Sequence, residues 1–309
     1  MSDNIQQAKL PNGQAVSKHV AVILADVLDQ SLKPGLYVVA TPIGNLGDIT
    51  LRALGVLVNA DVVYCEDTRH SRKLLARFGI DTKLKVYEEH TAKSERPRIL
   101  KALGKGQSVA LISDAGTPLI SDPGYKLVHE TIAAGHDVFA VPGASAITAS
   151  LSIAGLPTDK FYFQGFLPTK ATARRNRLQE LRGQAATLVL YEAPNRLAAM
   201  LADAANVMGD RQAAVARELT KLHEEVVRGS LSELADWAKA TPARGEVAII
   251  VGPPGRIEPT DEAITDALAA ALETSSMRDA TRQIAEIFGT SRKRVYELGL
   301  ALRDSGRAK

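Results

Sequence analysis

Directly after the apolar run Asp61-Val62-Val63-Tyr64-Cys65 comes Glu66-Asp67-Thr68-Arg69-His70. Two carboxylates, a guanidinium and an imidazole at the end of a strand can supply a general acid or base. The same residues can also be a salt-linked helix start, its acids favoured by the helix dipole and Thr68 or Ser71 as the cap. Both readings stand at this point. A second polar group, Arg217-Glu218-Leu219-Thr220-Lys221, follows another apolar run and leads into His223-Glu224-Glu225. It either faces a substrate or forms an exposed charged hairpin.

Binding chemistry has a different signature, in three small-residue loops. Leu36 to Ala40 is apolar and β-rich, as a strand buried on both faces would be. Thr41-Pro42-Ile43-Gly44-Asn45-Leu46-Gly47-Asp48 follows it. Pro42, Gly44 and Gly47 exclude a helix there and let backbone approach a ligand. Asp48 or Thr50 can cap the helix carrying Leu51, Leu54 and Leu57. The strand Ser108 to Ile112 leads into Ser113–Gly124, SDAGTPLISDPG. The strand Asp137 to Val141 leads into Pro142-Gly143-Ala144-Ser145-Ala146. None of the three loops contains Lys or Arg, which a polyphosphate would usually meet. G-x-G-x-x-G and the Walker A pattern are both absent. A ligand that needs close backbone and no cationic clamp fits better, and S-adenosylmethionine is such a ligand.

The elements that must position these loops alternate strand and helix from Gly35 to about Ala154. Strands are expected at 36–40, 61–65, 84–86, 108–112 and 137–141, with helices at 71–78, 125–134 and up to 154. That rhythm predicts a parallel, doubly wound sheet, whose strands present their carboxyl ends, and hence the three loops, along one crevice. Leu156-Pro157-Thr158-Asp159 marks a boundary. A second α/β unit then has strands at 161–164, 187–191, 213–217, 225–228 and 246–251, and helices at 171–182, 194–206 and 231–239. The domain plan is therefore an N-terminal extension 1–32, an α/β domain 33–155, a second α/β domain 156–252, and a linker with a small helical segment 253–309. Residues 1–14 are expected to be loosely held. Ala15 to Gln30 has apolar residues at helical spacing, at Val16, Val20, Ile23, Leu24, Val27 and Leu28.

Near the C-terminus, Ala285, Gly289 and Val295 have the spacing of a helix-turn-helix, with a small residue at the helix crossing, Gly in the turn and an apolar anchor. The second helix would start near Ser291 and carry Arg292, Lys293 and Arg294. Residues 276–309 hold eight Lys/Arg against four Asp/Glu, so this segment is a candidate nucleic-acid grip. A second basic group, with Arg174, Arg175 and Arg177, lies on the expected helix 171–182. It is either a phosphate-binding face or a solvated one.

Composition limits the rest. At 45% hydrophobic and 24% charged, the 309 residues read as globular. No apolar run approaches the roughly 20 residues that span a bilayer, and the polar start MSDNIQQAKL has no apolar core of a secretory signal. One cysteine, Cys65, excludes a disulfide framework and suits a reducing cytoplasm. The six histidines have no metal-ligand spacing, so no metal is expected. A net charge of +3 says little by itself about nucleic acid.

In order, the chain carries VATPIGNLGDITLRAL, CEDTRHSRKLL, SDAGTPLISDPG, VPGASA, YEAPNRL and RELTKLHEE. Together these resemble the 16S ribosomal RNA cytidine 2′-O-methyltransferases of the tetrapyrrole-methylase superfamily, over about residues 35–252. The C-terminal helix-turn-helix also fits. The resemblance implies S-adenosylmethionine-dependent methylation of a cytidine 2′-hydroxyl in the decoding region of small-subunit ribosomal RNA. It also implies two α/β domains with the cofactor in the cleft between them, and a homodimer. Carried over, the cofactor meets Pro42 and Gly44; Asp114, Ala115 and Gly116; Ser145 and Ala146; and Tyr191, Glu192 and Ala193. A carboxylate that orients or deprotonates the ribose hydroxyl is sought among Asp67, Glu66 and Glu218, with Asp67 preferred. Two other classes remain. A tetrapyrrole-type small-molecule methyltransferase would need neither the basic helix nor the helix-turn-helix. A DNA-binding regulator would leave about 220 residues of α/β body without a task.

Overall fold

The computed structural model describes residues 10–241, 245–255 and 260–304. Two compact units result, residues 1–254 and 255–309. In chain order the first unit contains α1 (Leu10–Leu28), β1 (Gly35–Val39), α2 (Leu51–Asn59), β2 (Val62–Cys65), α3 (Thr68–Arg77), β3 (Leu84–Val86), α4 (Ala92–Leu103), β4 (Ser108–Leu111), α5 (Tyr125–Ala133), β5 (Val138–Val141), α6 (Ala146–Ala154), β6 (Phe161–Phe166), α7 (Ala171–Leu181), β7 (Thr187–Glu192), α8 (Leu197–Met208), β8 (Gln212–Arg217), β9 (Glu225–Ser230), α9 (Leu231–Ala240) and β10 (Val247–Val251).

The first sheet is parallel throughout, in the order β3-β2-β4-β1-β5. β2 and β4 are buried along their whole length, as strands covered on both faces must be, and this is why they lack polar alternation. The second sheet, β6-β7-β10-β8-β9, is mixed: β6 runs parallel to β7, and every other pairing is antiparallel. α7, α8 and α9 close one face of it around Leu188, Leu190, Val215 and Ile249. The other face receives α6 of the first half: Ile147, Leu151 and Ala154 pack on Val189, Ala214, Ala216 and Ile250. A helix made of small and aliphatic residues thus joins the two sheets without a polar gap.

Three local readings change. No element is expected between Val86 and Ser108, yet α4 fills that stretch. Pro97 lies inside it and has no N–H to give, but burial of Ala92, Ile99 and Leu103 outweighs the lost bond. The N-terminal helix begins at Leu10, so the loosely held region cannot extend to residue 14; residues 1–9 lie outside the described ones. Its apolar stripe is only partly used. Val27 packs so closely on α2 that a Cβ on Gly55 would come within 2.5 Å of it, whereas Val16, Val20 and Ile23 are 60%, 39% and 52% exposed.

The second unit is three helices, α10 (Asp261–Leu272), α11 (Met277–Phe288) and α12 (Arg292–Asp304). Ile264, Leu268, Ala280, Ile284, Ala285 and Val295 form its core. Gly289 ends α11 in the left-handed region at φ 59°, and Ser291 accepts from the Arg294 amide at the start of α12. This is the helix-turn-helix the spacing predicts. Part of the expected linker, residues 256–259, lies outside the described ones. Among the described residues no helix is long and apolar enough to cross a membrane.

Candidate active site

The loops after β1, β4 and β5 interlock. Thr41 and Gly116 exchange both backbone bonds, at 2.8 and 3.0 Å. Thr117 donates its hydroxyl to the Ala144 carbonyl at 3.2 Å. Gly116 sits at φ +80°, and a Cβ there would lie 3.3 Å from Ile43. Left-handed backbone and close approach both require glycine at this position. The cap of α2 is Thr50, which accepts from the Ala53 amide.

Beside these loops lies a cavity of about 440 Å³. One wall comes from the first sheet: Ile43, Asp114 to Thr117, Ile120 to Asp122, Ser145 and Ala146. The other comes from the second: Phe166, Tyr191 to Pro194, Leu219 and Gly245 to Ala248. Eight residues expected at the cofactor are brought together here, namely Asp114, Ala115, Gly116, Ser145, Ala146, Tyr191, Glu192 and Ala193. Pro42 and Gly44 are not in the wall; Ile43 stands there for their loop. Gly44 instead meets the Lys221 side chain, with a virtual Cβ only 2.4 Å from Lys221 Cγ.

Sequence reasoning missed Asp122, Phe166, Leu219 and Glu246. Asp122 reads as part of an Asp-Pro-Gly turn. Glu246 precedes a strand far along the chain, and only the pairing of β10 with β7 brings it to the cavity. Glu192 is 2% exposed, and its carboxylate is engaged by the Ala193 amide at 2.8 Å and by Arg196 at 2.6 Å. Its role is to fix the turn that places Ala193 and Pro194.

The electrostatics are anionic. Burial, followed by the nearby carboxylates of Asp122 and Asp114, pushes Glu66 up to about 7. Asp122 is pushed up to about 6 by burial and by Asp114 and Glu246, against a lowering hydrogen bond from Ser113. Tyr191 rises to about 12 through burial and the nearby Asp122 and Glu246. Neither Lys nor Arg is among the described residues lining the cavity.

The three candidate bases have different surroundings. Asp67 is the N-cap of α3, where Thr68 or Ser71 is expected from the residue types. It accepts from the Arg69 amide at 2.7 Å and pairs with the Arg69 guanidinium at 2.9 Å. These bonds hold it at about 2, so it is a weak proton acceptor. Glu218 forms an ion pair with Lys221 at 2.9 Å, which keeps its carboxyl below the usual range. Glu66 keeps one buried oxygen, Oε1, without a hydrogen-bond partner.

The arginines of the basic helix differ in exposure. Arg174 is 7% exposed and bonds Asp203 at 2.5 Å, so its charge is neutralised inside the fold. Arg175 takes the other oxygen of Asp203 at 2.8 Å. Arg177 is held by Gln164 and Glu180. In the second unit Arg292 and Lys293 are exposed, and Arg294 pairs with Asp261 at 2.7 Å.

A profile of the Tetrapyrrole (Corrin/Porphyrin) Methylases matches residues 35–235, and one of the RsmI C-terminal HTH domain matches residues 258–303. The ribosomal RNA small subunit methyltransferase I of Mesorhizobium japonicum is 48% identical over 279 residues, covering 89% of this chain and 94% of its own. Among solved structures, a cobalt precorrin-4 methyltransferase of cobalamin biosynthesis matches with a TM-score of 0.54 at 20% identity, over 70% of this chain and 94% of its own. The uroporphyrin-III C-methyltransferase of Thermus thermophilus, complexed with S-adenyl homocysteine, matches at 0.50 and 22% identity, over 72% of this chain and 99% of its own. The chain belongs to the tetrapyrrole (corrin/porphyrin) methylase family, in the group whose curated members are named ribosomal RNA small subunit methyltransferase I.

Proposed function

We propose that the chain transfers a methyl group from S-adenosylmethionine to the 2′-hydroxyl of a cytidine in small-subunit ribosomal RNA. The observation that carries this is the anionic cavity between the three loops and the second sheet, in a chain whose relatives methylate that RNA by name. The residues present fit the cofactor. The volume suits a nucleoside-sized ligand, backbone lies open at Gly116, and Asp114, Asp122 and Glu246 complement a cation while repelling a polyphosphate. When bound, the cofactor supplies a methyl group on a positively charged sulfur. None of the three expected bases lines the cavity itself; Glu66 is the one set beside the wall carboxylates Asp122 and Asp114. Its carboxyl is raised to about 7, in the range a general base at neutral pH needs, and its buried Oε1 has no hydrogen-bond partner in the fold. Positioning of that hydroxyl by the cavity walls adds to the base.

This reading keeps the two α/β domains of residues 33–155 and 156–252, with the cofactor between them. Arg292 and Lys293, at the start of α12, grip RNA phosphates, where helix N–H groups add to side-chain charge. The enzyme works as a homodimer in the cytoplasm, and the uncovered stripe of α1 offers a face for a second copy.

The test is incubation with methyl-labelled cofactor and, separately, small ribosomal subunits, a tetrapyrrole or duplex DNA. Label recovered as 2′-O-methylcytidine from the subunits is expected. Label in the tetrapyrrole alone would replace this reading.

A further inference from the structure

The turn between β8 and β9 is tightly built yet exposes a leucine. Glu218 and Thr220 both lie in the left-handed region, at φ 51° and 65°, where non-glycine residues persist only if their surroundings hold them. Here the Lys221 amide donates to the Glu218 carbonyl at 3.0 Å, and the Glu224 amide to the Lys221 carbonyl at 3.1 Å. The Thr220 amide donates to the Glu224 carboxylate at 2.6 Å. Leu219 is in the cavity wall. Thr220 lines an adjoining open groove of about 470 Å³ with Asp48, Thr148 and Ser152. The Lys221 side chain lies against Gly44 of the first-sheet loop. At the apex Leu222 is 93% exposed. Two residues after Gly44, Leu46 is 41% exposed. A turn fixed in this way cannot fold Leu222 inward.

We propose that Leu222 is a substrate-contacting residue, which packs on the face of a nucleobase in the RNA strand beside the acceptor cytidine. This rests on the ribosomal RNA reading above. Reaching a ribose hydroxyl at a cavity mouth requires the local strand to leave its stack. An exposed apolar side chain three residues after the cavity-lining Leu219 takes the place of the lost neighbour, as leucine wedges do between bases. The contact is tolerant of base identity, because every base offers a π-face. The open groove lined by Thr220 leaves room for the sugar of the same strand.

The full chain with Leu222→Asp is compared with wild type on small ribosomal subunits, with labelled cofactor. The Leu222→Asp enzyme should show a KM for subunits raised about tenfold, with kcat and calorimetric cofactor affinity within about twofold. Leu222→Met, which keeps an apolar contact, should raise KM less. An unchanged KM in Leu222→Asp, with wild type active, overturns this inference and leaves the proposed function standing. A changed mass by light scattering assigns Leu222 to a protein interface and also overturns it. A wild type that transfers no label to subunits overturns both.

Discussion

Glu66 and Asp67 are neighbours at the end of β2 with opposite surroundings. Asp67 faces outward and is bound by Arg69, whereas Glu66 turns toward Asp114 and Asp122 and is raised to about 7. Glu66→Gln is expected to lower kcat by roughly 10²-fold while cofactor affinity holds. It should also remove the rise in activity as pH passes through about 7. Asp67→Ala should instead keep most of its turnover and lose some thermal stability with the cap. The stability effect of Glu66 has a definite sign. Its folded value lies above the ordinary 4.5, so the folded state binds the extra proton. The stability gained below about 4.5 is lost as pH rises through about 7. Thermal melts of Glu66→Gln against wild type should therefore differ little near pH 5. Near pH 8.5 they should favour the variant by about 2–4 °C. Equal gaps at both pH values would count against the shifted carboxyl.

At the scale of elements, the loop after β4 and helix α7 make separable demands. The 113–124 loop must bring backbone to the ligand, and Gly116 is its tightest point. Gly116→Leu adds a side chain at φ +80° and 3.3 Å from Ile43. Calorimetry should show cofactor affinity reduced by more than about tenfold, with an unchanged far-UV spectrum. Full affinity in a folded variant would remove the loop from the site. α7 carries structural charge. Arg174→Ala would leave the Asp203 carboxylate, 9% exposed, with Arg175 alone. Losing one partner of a buried pair costs about 3–5 kcal/mol. Denaturant melts should register a loss of that order, and RNA affinity of the folded fraction should not change. A stable variant with weakened RNA capture would restore α7 as a phosphate-binding face.

Across the whole molecule, the cavity and the helix-turn-helix lie in different compact units. The cavity and every residue argued to touch the cofactor belong to residues 1–254, and the helix-turn-helix is confined to 255–309. Deleting 255–309 should leave cofactor binding intact and weaken capture of small ribosomal subunits. Arg292 and Lys293 stand for about two phosphate contacts. The slope of log affinity against log salt should therefore become shallower by about 1–2. An unchanged apparent affinity across the salt series would make the unit a packing appendage.

The sequence by itself determined the strands, the three loops and the turn glycines. These follow from local rules: an apolar run buried on both faces, a proline or glycine that stops a helix, a left-handed position. It also determined the helix-turn-helix, because the Ala285, Gly289 and Val295 spacing reports packing within about ten residues. Tertiary structure alone decided the charge states and partners. Asp203 lies 29 residues from Arg174 and takes that one arginine of the basic helix into a buried ion pair. Burial first, and then Asp122 and Asp114, more than 45 residues after Glu66, raise its carboxyl to about 7, while Asp67 takes its partner two residues away. β10 comes back between β7 and β8 and carries Glu246 to the cavity. Electrostatic energy depends on distance and burial in space, and neither is encoded in spacing along the chain.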